Sequence, residues 1–273
     1  MDTKLAQAIQ FIRQHTELEV KAGIILGSGL GAFADTLQDK VKIPTEKIPF
    51  YPKSTVEGHQ GYLVFGKHEG VPVLAVQGRT HYYEGYPIKD VTFVVRIMQA
   101  LHINTLLVTN AAGGVNPRFV PGDLMLITDQ VNFLFTSPLV GPSEYSGPRF
   151  PDMSNAYATE LFAPVEEIAR HRNIPLRRGV LWVSSGPGYE SGAEVKMIQK
   201  FGGDAASMST VPEVIVANHA GMKVIGISCV TNLATGISSE RLSHEEVTET
   251  AELVKEKFLA LVRGIIEELF STL

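Results

Sequence analysis

Leu5, Ile9 and Ile12 recur at helical spacing, so the chain opens on a short amphipathic helix. An unbroken apolar run, Ala22-Gly23-Ile24-Ile25-Leu26, then predicts a buried strand that enters a glycine turn. Residues 62–65 and 71–77 predict two more strands, separated by Glu69-Gly70. Residues 91–101 carry a helical period, with Phe93, Val94, Ile97, Met98 and Leu101 on the inner face. Residues 105–108, 124–127, 180–183 and 224–230 predict short buried strands, and 157–172 a helix. Residues 138–151, rich in Pro, Gly and Ser, predict a long loop of the kind that carries function or an interface. The last helix starts at a capping box, Ser243-His244-Glu245-Glu246. Its apolar stripe is Val247, Ala251, Val254, Phe258, Leu261 and Ile265.

Short apolar strands alternating with amphipathic helices predict an α/β fold with a largely parallel central sheet flanked by helices. No repeat, linker or low-complexity segment divides the chain, so one domain over residues 1–273 is expected. The segments after the strands are small and polar. They are Gly27-Ser28-Gly29-Leu30-Gly31, Thr109-Asn110-Ala111-Ala112-Gly113-Gly114, Ser184-Ser185-Gly186-Pro187-Gly188-Tyr189-Glu190 and Thr231-Asn232. Ligands of open α/β sheets bind at the carboxyl ends of the strands, so these segments predict one composite site.

Composition narrows the partners. At 44% hydrophobic, 273 residues can bury a substantial core. A net charge of −5 argues against a nucleic acid or an anionic membrane surface. The single cysteine, Cys229, lies in an apolar run, reads as a buried small hydrophobe, and fits a reducing compartment. No apolar run reaches the roughly 18 residues of a membrane span, and the N-terminus is too polar for a signal peptide. A cytoplasmic protein is expected. His15, His102 and His171 follow amphipathic helices and read as solvated.

The glycine turn 27–31 can aim several backbone N–H groups at one anion. Ser28 adds a hydroxyl, and a following helix N-terminus would add a dipole. A tight turn without ligand has the same sequence. A dinucleotide fingerprint needs a different glycine spacing and an acidic residue about 20 positions on. Gly61-Tyr62-Leu63-Val64-Phe65-Gly66-Lys67 has P-loop spacing, but His68 replaces the magnesium-binding hydroxyl and the middle is a strand. No serine has the G-x-S-x-G context, and no cluster of metal ligands appears. The chain therefore points to chemistry without metal, cofactor or covalent nucleophile.

Gly78-Arg79-Thr80-His81-Tyr82-Tyr83-Glu84-Gly85 packs a cation, an imidazole, a phenol and a carboxylate after a strand. Arg79 can fork onto two phosphate oxygens, and His81 can donate to a third. A solvated loop is the competing reading. With the glycine turn, residues 109–114, and Met208-Ser209-Thr210-Val211-Pro212-Glu213, this segment resembles the trimeric, low-molecular-weight purine nucleoside phosphorylases. Gly58-His59-Gln60-Gly61, Gly186-Pro187-Gly188-Tyr189-Glu190 and Thr231-Asn232 match too, in the family order and over nearly the whole chain.

The resemblance implies a mixed, mostly parallel sheet and reversible phosphorolysis of 6-oxopurine nucleosides in purine salvage. Inorganic phosphate is then a co-substrate and no cofactor is needed. Ser28, Arg79, His81, the Ala111 backbone N–H and Ser209 are implied to hold phosphate. Tyr83, Met208 and His244 are implied to line the ribose, with His59 near phosphate and sugar. Ala111, Tyr189, Glu190, Met208 and Asn232 are implied for the base, with Glu190 accepting from N1–H and Asn232 donating to N7 and the 6-oxygen. The family is trimeric, and Tyr145 is the candidate aromatic reaching a neighbour's site. Ser207 stands where Gly is expected, Ser191 where Thr is common, and residues 233–237 look bacterial. A related phosphorylase acting on 5′-methylthioadenosine usually has Asp at position 232, which Asn232 argues against. A non-catalytic nucleoside-binding protein on the same fold is the rival from another class.

Overall fold

The computed structural model describes residues 3–27, 29–56, 60–142, 145–237 and 244–272, with backbone alone at 244–248. Among the described residues nine strands form one sheet: β1 (Ala22–Leu26), β2 (Gln38–Pro44), β3 (Tyr62–His68), β4 (Val71–Gln77), β5 (Thr105–Gly114), β6 (Leu124–Asn132), β7 (Leu176–Val183), β8 (Ala205–Ser207) and β9 (Lys223–Leu233). Their order is β2-β3-β4-β1-β5-β8-β7-β6-β9, and β9 also pairs with β5. That last pairing closes β5, β8, β7, β6 and β9 into a ring, while β2, β3, β4 and β1 extend from β5 as an open wing. β1 runs parallel to β4 and β5, β5 to β9, and β7 to β6 and β8. The β2–β3, β3–β4, β5–β8 and β6–β9 pairs are antiparallel, so the sheet is mixed and mostly parallel.

Helices cover both faces. On one side α1 (Thr3–Arg13), α2 (Ile88–Val91), α3 (Phe93–Ala100) and α6 (Val211–His219) bury Leu5, Ile12, Phe93, Ile97 and Val214 in one core. On the other, α4 (Phe162–His171) and α7 (His244–Glu268) bury Val165, Ile168, Phe258, Leu261 and Ile265. A third cluster packs Val195 and Ile198 of α5 (Gly192–Lys200) against Trp182. In the α7 stripe Ala251 is buried and Val254 partly so, whereas Val247 and the capping box 243–246 lie outside the described side chains.

Several expectations need correction. The expected helix 157–172 begins at Phe162, after a 3-10 turn at Thr159–Leu161. Tyr157 is instead a buried core residue whose hydroxyl donates to Gln130 Oε1 at 3.0 Å. The expected helix 91–101 is split at Thr92, whose hydroxyl donates to the Ile88 carbonyl. The element after the glycine turn is a 3-10 helix, Gly31–Thr36, so the α-helical dipole expected there is lacking. Residues 109–114 and 231–232 lie on β5 and β9 rather than after them. Cys229 is buried as expected, and burial pushes its thiol up to about 12.

Candidate active site

The site occupies a gap in the hydrogen-bonded sheet. β1 pairs with β5 only from Thr105 to Val108. β8 joins β5 from Gly113 onward. Between them, one edge of β5 has no strand partner among the described residues, while its other edge stays paired with β9. Gly27 closes the start of the gap: its N–H donates to Thr109 Oγ1 at 2.8 Å. A Cβ there would come within 2.9 Å of Asn110 Cα and Thr109 O, both backbone, so only glycine lets the turn approach β5 so closely. At the far end Ser207, the last residue of β8, donates its hydroxyl to the Ala111 carbonyl at 3.0 Å. An extended residue points its N–H and C=O to the same side, so the Ala111 N–H also faces the gap.

A cavity of about 130 Å³ fills this space. Arg79, His81 and Tyr83 line it from the loop after β4, Ala111 from β5, and Asn232 from β9. Met208 and Ser209 enter between β8 and α6, and Tyr189 and Glu190 between β7 and α5. Gly186 allows that last loop to close in: a Cβ there would stand 2.5 Å from Met208 Sδ and 3.2 Å from a Tyr83 ring carbon. The expected residues Arg79, His81, Tyr83, Ala111, Tyr189, Glu190, Met208, Ser209 and Asn232 thus share one cavity. Ser28 and His59 lie outside the described residues, and of His244 only the backbone, at the start of α7, is described. Tyr145 is elsewhere: its ring lies under the Arg96 guanidinium at 4.4 Å and lines a separate small cavity with Arg96 and His219.

Charge in the cavity is arranged by partners. Arg79 is buried, which pulls its pKa down, and Glu213 beside it pushes it back up. Its Nε stands 3.2 Å from Glu213 Oε1, and its Nη1 donates to Ser209 Oγ at 2.8 Å and Thr210 Oγ1 at 3.3 Å. Thr210 sits at φ +81°, a costly conformation for a β-branched residue. Asn110 Nδ2 also donates to its hydroxyl at 2.9 Å, so side-chain bonds hold Thr210 where it caps α6 without a capping hydrogen bond of its own.

His81 is gripped by Glu84, whose Oε1 accepts from the His81 N–H at 2.6 Å and stands 3.2 Å from Nδ1. Burial raises the Glu84 carboxyl, but hydrogen bonds from His81 and from the N–H and hydroxyl of Thr55 outweigh it and bring it to about 2. The His81 ring stacks on Tyr83 at 4.7 Å. Burial first, then the Glu84 charge, lifts the Tyr83 hydroxyl to about 12, so it is a neutral donor at pH 7. Glu190 buries Oε1 with no hydrogen-bond partner among the described residues. An acceptor left so in a cavity wall implies a donor supplied by whatever binds there. Asn232 accepts from Thr231 Oγ1 at 3.0 Å, and its Nδ2 donates to the Leu233 carbonyl at 3.2 Å. A second amide hydrogen remains to be donated. Among the described residues, no group of His, Cys, Asp and Glu is placed to hold a metal ion.

A model of the phosphorylase superfamily matches residues 21–267. The chain is similar to purine nucleoside phosphorylase 1 of Bacillus subtilis, at 54% identity over 98% of this chain and 99% of that one. The chain belongs to the purine nucleoside phosphorylases of this superfamily. Its fold is also that of a Schistosoma mansoni purine nucleoside phosphorylase solved with inosine (TM-score 0.91, 37% identity, 97% of this chain and 96% of that one). A structure of the same enzyme with adenosine superposes at TM-score 0.92, with 37% identity and the same coverage.

Several residues around this cavity carry no signal of their own in the sequence. Glu213 falls in the first turn of α6, where an acid is indistinguishable in sequence from a dipole partner. Asn110 and Thr210 sat in matched segments, but their mutual bond joins positions 100 apart. Ser191 keeps a hydroxyl where Thr is common, and that hydroxyl caps α5, accepting from the Glu194 N–H at 3.4 Å. The motif Ser191-Gly192-Ala193-Glu194 is a capping box that could have announced α5.

Proposed function

We propose that this phosphorylase cleaves 6-oxopurine nucleosides and 2′-deoxynucleosides with inorganic phosphate, reversibly, giving free base and pentose 1-phosphate, and that it needs no cofactor. The observation that carries this reading is the shared cavity. Anion donors (Arg79, Ser209 and the Ala111 N–H) stand in the same cavity as a base-reading acceptor and donor, Glu190 and Asn232.

In the reaction a phosphate oxygen bonds to the anomeric carbon as the bond to purine N9 breaks. The electron pair leaves on the purine, and the proton that monohydrogen phosphate loses on forming the ester balances the one the departing base takes up. The sugar acquires oxocarbenium character, as in other glycosyl cleavages. Arg79 and Ser209 hold the nucleophile against the sugar face. With Nδ1–H directed to Glu84, a neutral His81 offers a lone pair at Nε2 to a protonated phosphate oxygen; the imidazolium donates instead. Asn232 stabilises charge that develops at N7 and the 6-oxygen only as the bond breaks, which lowers the barrier rather than tightening ground-state binding.

Ionised Glu190 only accepts, so it matches the N1–H of hypoxanthine or guanine. Adenine has no hydrogen at N1 and leaves this buried oxygen unpaired, at about 1–3 kcal/mol. The adenosine complex of the Schistosoma relative concerns occupancy in that protein; the preference proposed here is one of turnover. Purine nucleoside and phosphate are the small-molecule partners. We extend the reading to a cytoplasmic homotrimer in which the loop around Tyr145 approaches a neighbouring site, which light scattering after size exclusion checks.

The central test is inosine turnover, followed by release of hypoxanthine, with and without phosphate. Turnover is expected only with phosphate, and equal hydrolysis without it rejects the reading. Asn232→Asp is expected to raise the adenosine-to-inosine ratio of kcat/KM by at least tenfold, because Asp accepts from a 6-amino group. An unchanged ratio removes Asn232 from base recognition.

A further inference from the structure

We propose that Ser207 is a positioning residue that sets the affinity of this phosphorylase for phosphate, by holding the Ala111 peptide in the gap between β1 and β8. The proposal rests on the phosphorolysis reading and deepens it.

Among the described residues, Ala111 has no strand neighbour on the cavity side. β1 has stopped pairing at Val108, and β8 takes up the ladder only at Gly113. A backbone group on such an edge is free to rotate away, and a donor that must meet an anion then loses its aim. Ser207 replaces the missing ladder bond. Its own backbone is fixed from the other side: it pairs with Val183 of β7, and its carbonyl accepts from the Ser184 N–H at 3.0 Å. From that anchored position the hydroxyl donates to the Ala111 carbonyl at 3.0 Å. The bond fixes the peptide between Ala111 and Ala112, and through the extended Ala111 Cα it restrains the preceding peptide, whose N–H faces the cavity.

The same oxygen stands 3.5 Å from Ser209 Oγ, which accepts from Arg79 Nη1 at 2.8 Å. Since the Ser207 hydrogen is committed to Ala111, its oxygen can only accept from Ser209, and at that distance weakly. The Ser209 hydrogen, turned away from Arg79 because the Ser209 oxygen accepts there, has only these long contacts to Ser207 and Thr210 and can be given up to an anion. Ser207 thus connects the Ala111 peptide to the Ser209–Arg79 pair without itself being needed as a phosphate ligand. The resemblance to the family places Gly at this position. Glycine there would offer no hydroxyl for the Ala111 carbonyl, so the bond depends on the serine side chain.

The test is steady-state kinetics of Ser207→Gly, Ser207→Ala and Ser207→Thr, varying phosphate at saturating inosine and inosine at saturating phosphate. One neutral hydrogen bond corresponds to a factor of about three to ten. The Gly and Ala variants are expected to raise the KM for phosphate by that factor, with kcat and the KM for inosine within twofold of the parent. Ser207→Thr, which keeps the hydroxyl, restores the phosphate KM. An unchanged phosphate KM in both Gly and Ala variants overturns the proposal. So does an equal rise in both KM values, or failure of Thr to rescue in a variant with parental melting temperature. The parent enzyme separates the two readings: absence of phosphate-dependent turnover rejects the phosphorylase assignment, whereas its presence with an unmoved phosphate KM rejects only the role of Ser207.

Discussion

Two arginines, Arg79 after β4 and Arg96 on α3, are each only 4% exposed, yet they have been given opposite kinds of company. Arg79 faces a carboxylate, Glu213, itself 2% exposed, and two hydroxyls. Arg96 has no carboxylate partner among the described residues. Its Nη1 donates to Gln99 Oε1 at 3.0 Å and to His219 Nδ1 at 3.1 Å, and the Tyr145 ring lies 4.4 Å from its Cζ. Burial lowers both guanidinium pKa values, that of Arg96 to about 10. Burial also lowers that of His219, and the Arg96 charge lowers it further, so the imidazole stays neutral and accepts. A buried arginine alone therefore does not mark a site. The carboxylate at Arg79 preserves a fixed charge at a cavity wall, where an anion can use it. The ring and imidazole at Arg96 hold a helix, a loop and the end of α6 together.

The comparison can be broken most forcefully at Arg79. Arg79→Met removes the donor proposed to hold phosphate and strands Glu213 as a buried carboxylate. We expect kcat/KM for phosphate to fall by about 10²–10³, and stability by roughly 3–5 kcal/mol. The double variant Arg79→Met/Glu213→Met should recover most of that stability in urea unfolding and none of the turnover. Recovery of both would show that the pair is structural. Arg96→Met should cost about 1–2 kcal/mol, from a lost cation–π contact and hydrogen bonds. Its turnover should stay within tenfold of the parent; a larger loss would place Arg96 in the site.

The smallest effect concerns His219. Its folded pKa lies below the ordinary 6.5, so on acidification the unfolded chain takes up the proton first. The contribution is complete above that value and is lost as pH falls through the window beneath it. Melting curves between pH 7.5 and 5 should show the loss, and His219→Gln should flatten it. An identical slope in the variant would assign the dependence to other groups.

How legible each part was depended on how local its signal is. The α7 stripe was read correctly at Ala251, Phe258, Leu261 and Ile265, because one polar face alternates with one buried face. α6 escaped, being buried on nearly every side, so Val211 to Ala217 show no period. β2 escaped as a polar edge strand, Gln38–Pro44, and β8 as a run of three residues. In the candidate site, Arg79 and His81 were legible as a cation and an imidazole placed after a strand, whereas Ser209, Glu190 and Asn232 were legible only through the family resemblance. Glu213 was not, since its partner lies 134 positions earlier and nothing local distinguishes it from a helix-start acid.

The sequence by itself determined the short buried strands, the amphipathic helices and the identity of the donors and acceptors, since residue chemistry and periodicity are properties of neighbours along the chain. Tertiary structure alone decided that β5 runs on to Gly114, that β1 stops pairing with it at Val108, and that β8 pairs with it only from Gly113. It also decided that Ser207 bridges to Ala111 and that Glu213, rather than an aromatic ring, faces Arg79. Side-chain alternation records which face of a strand is buried, but it is silent about which strand lies along each edge, and the site is made from an edge.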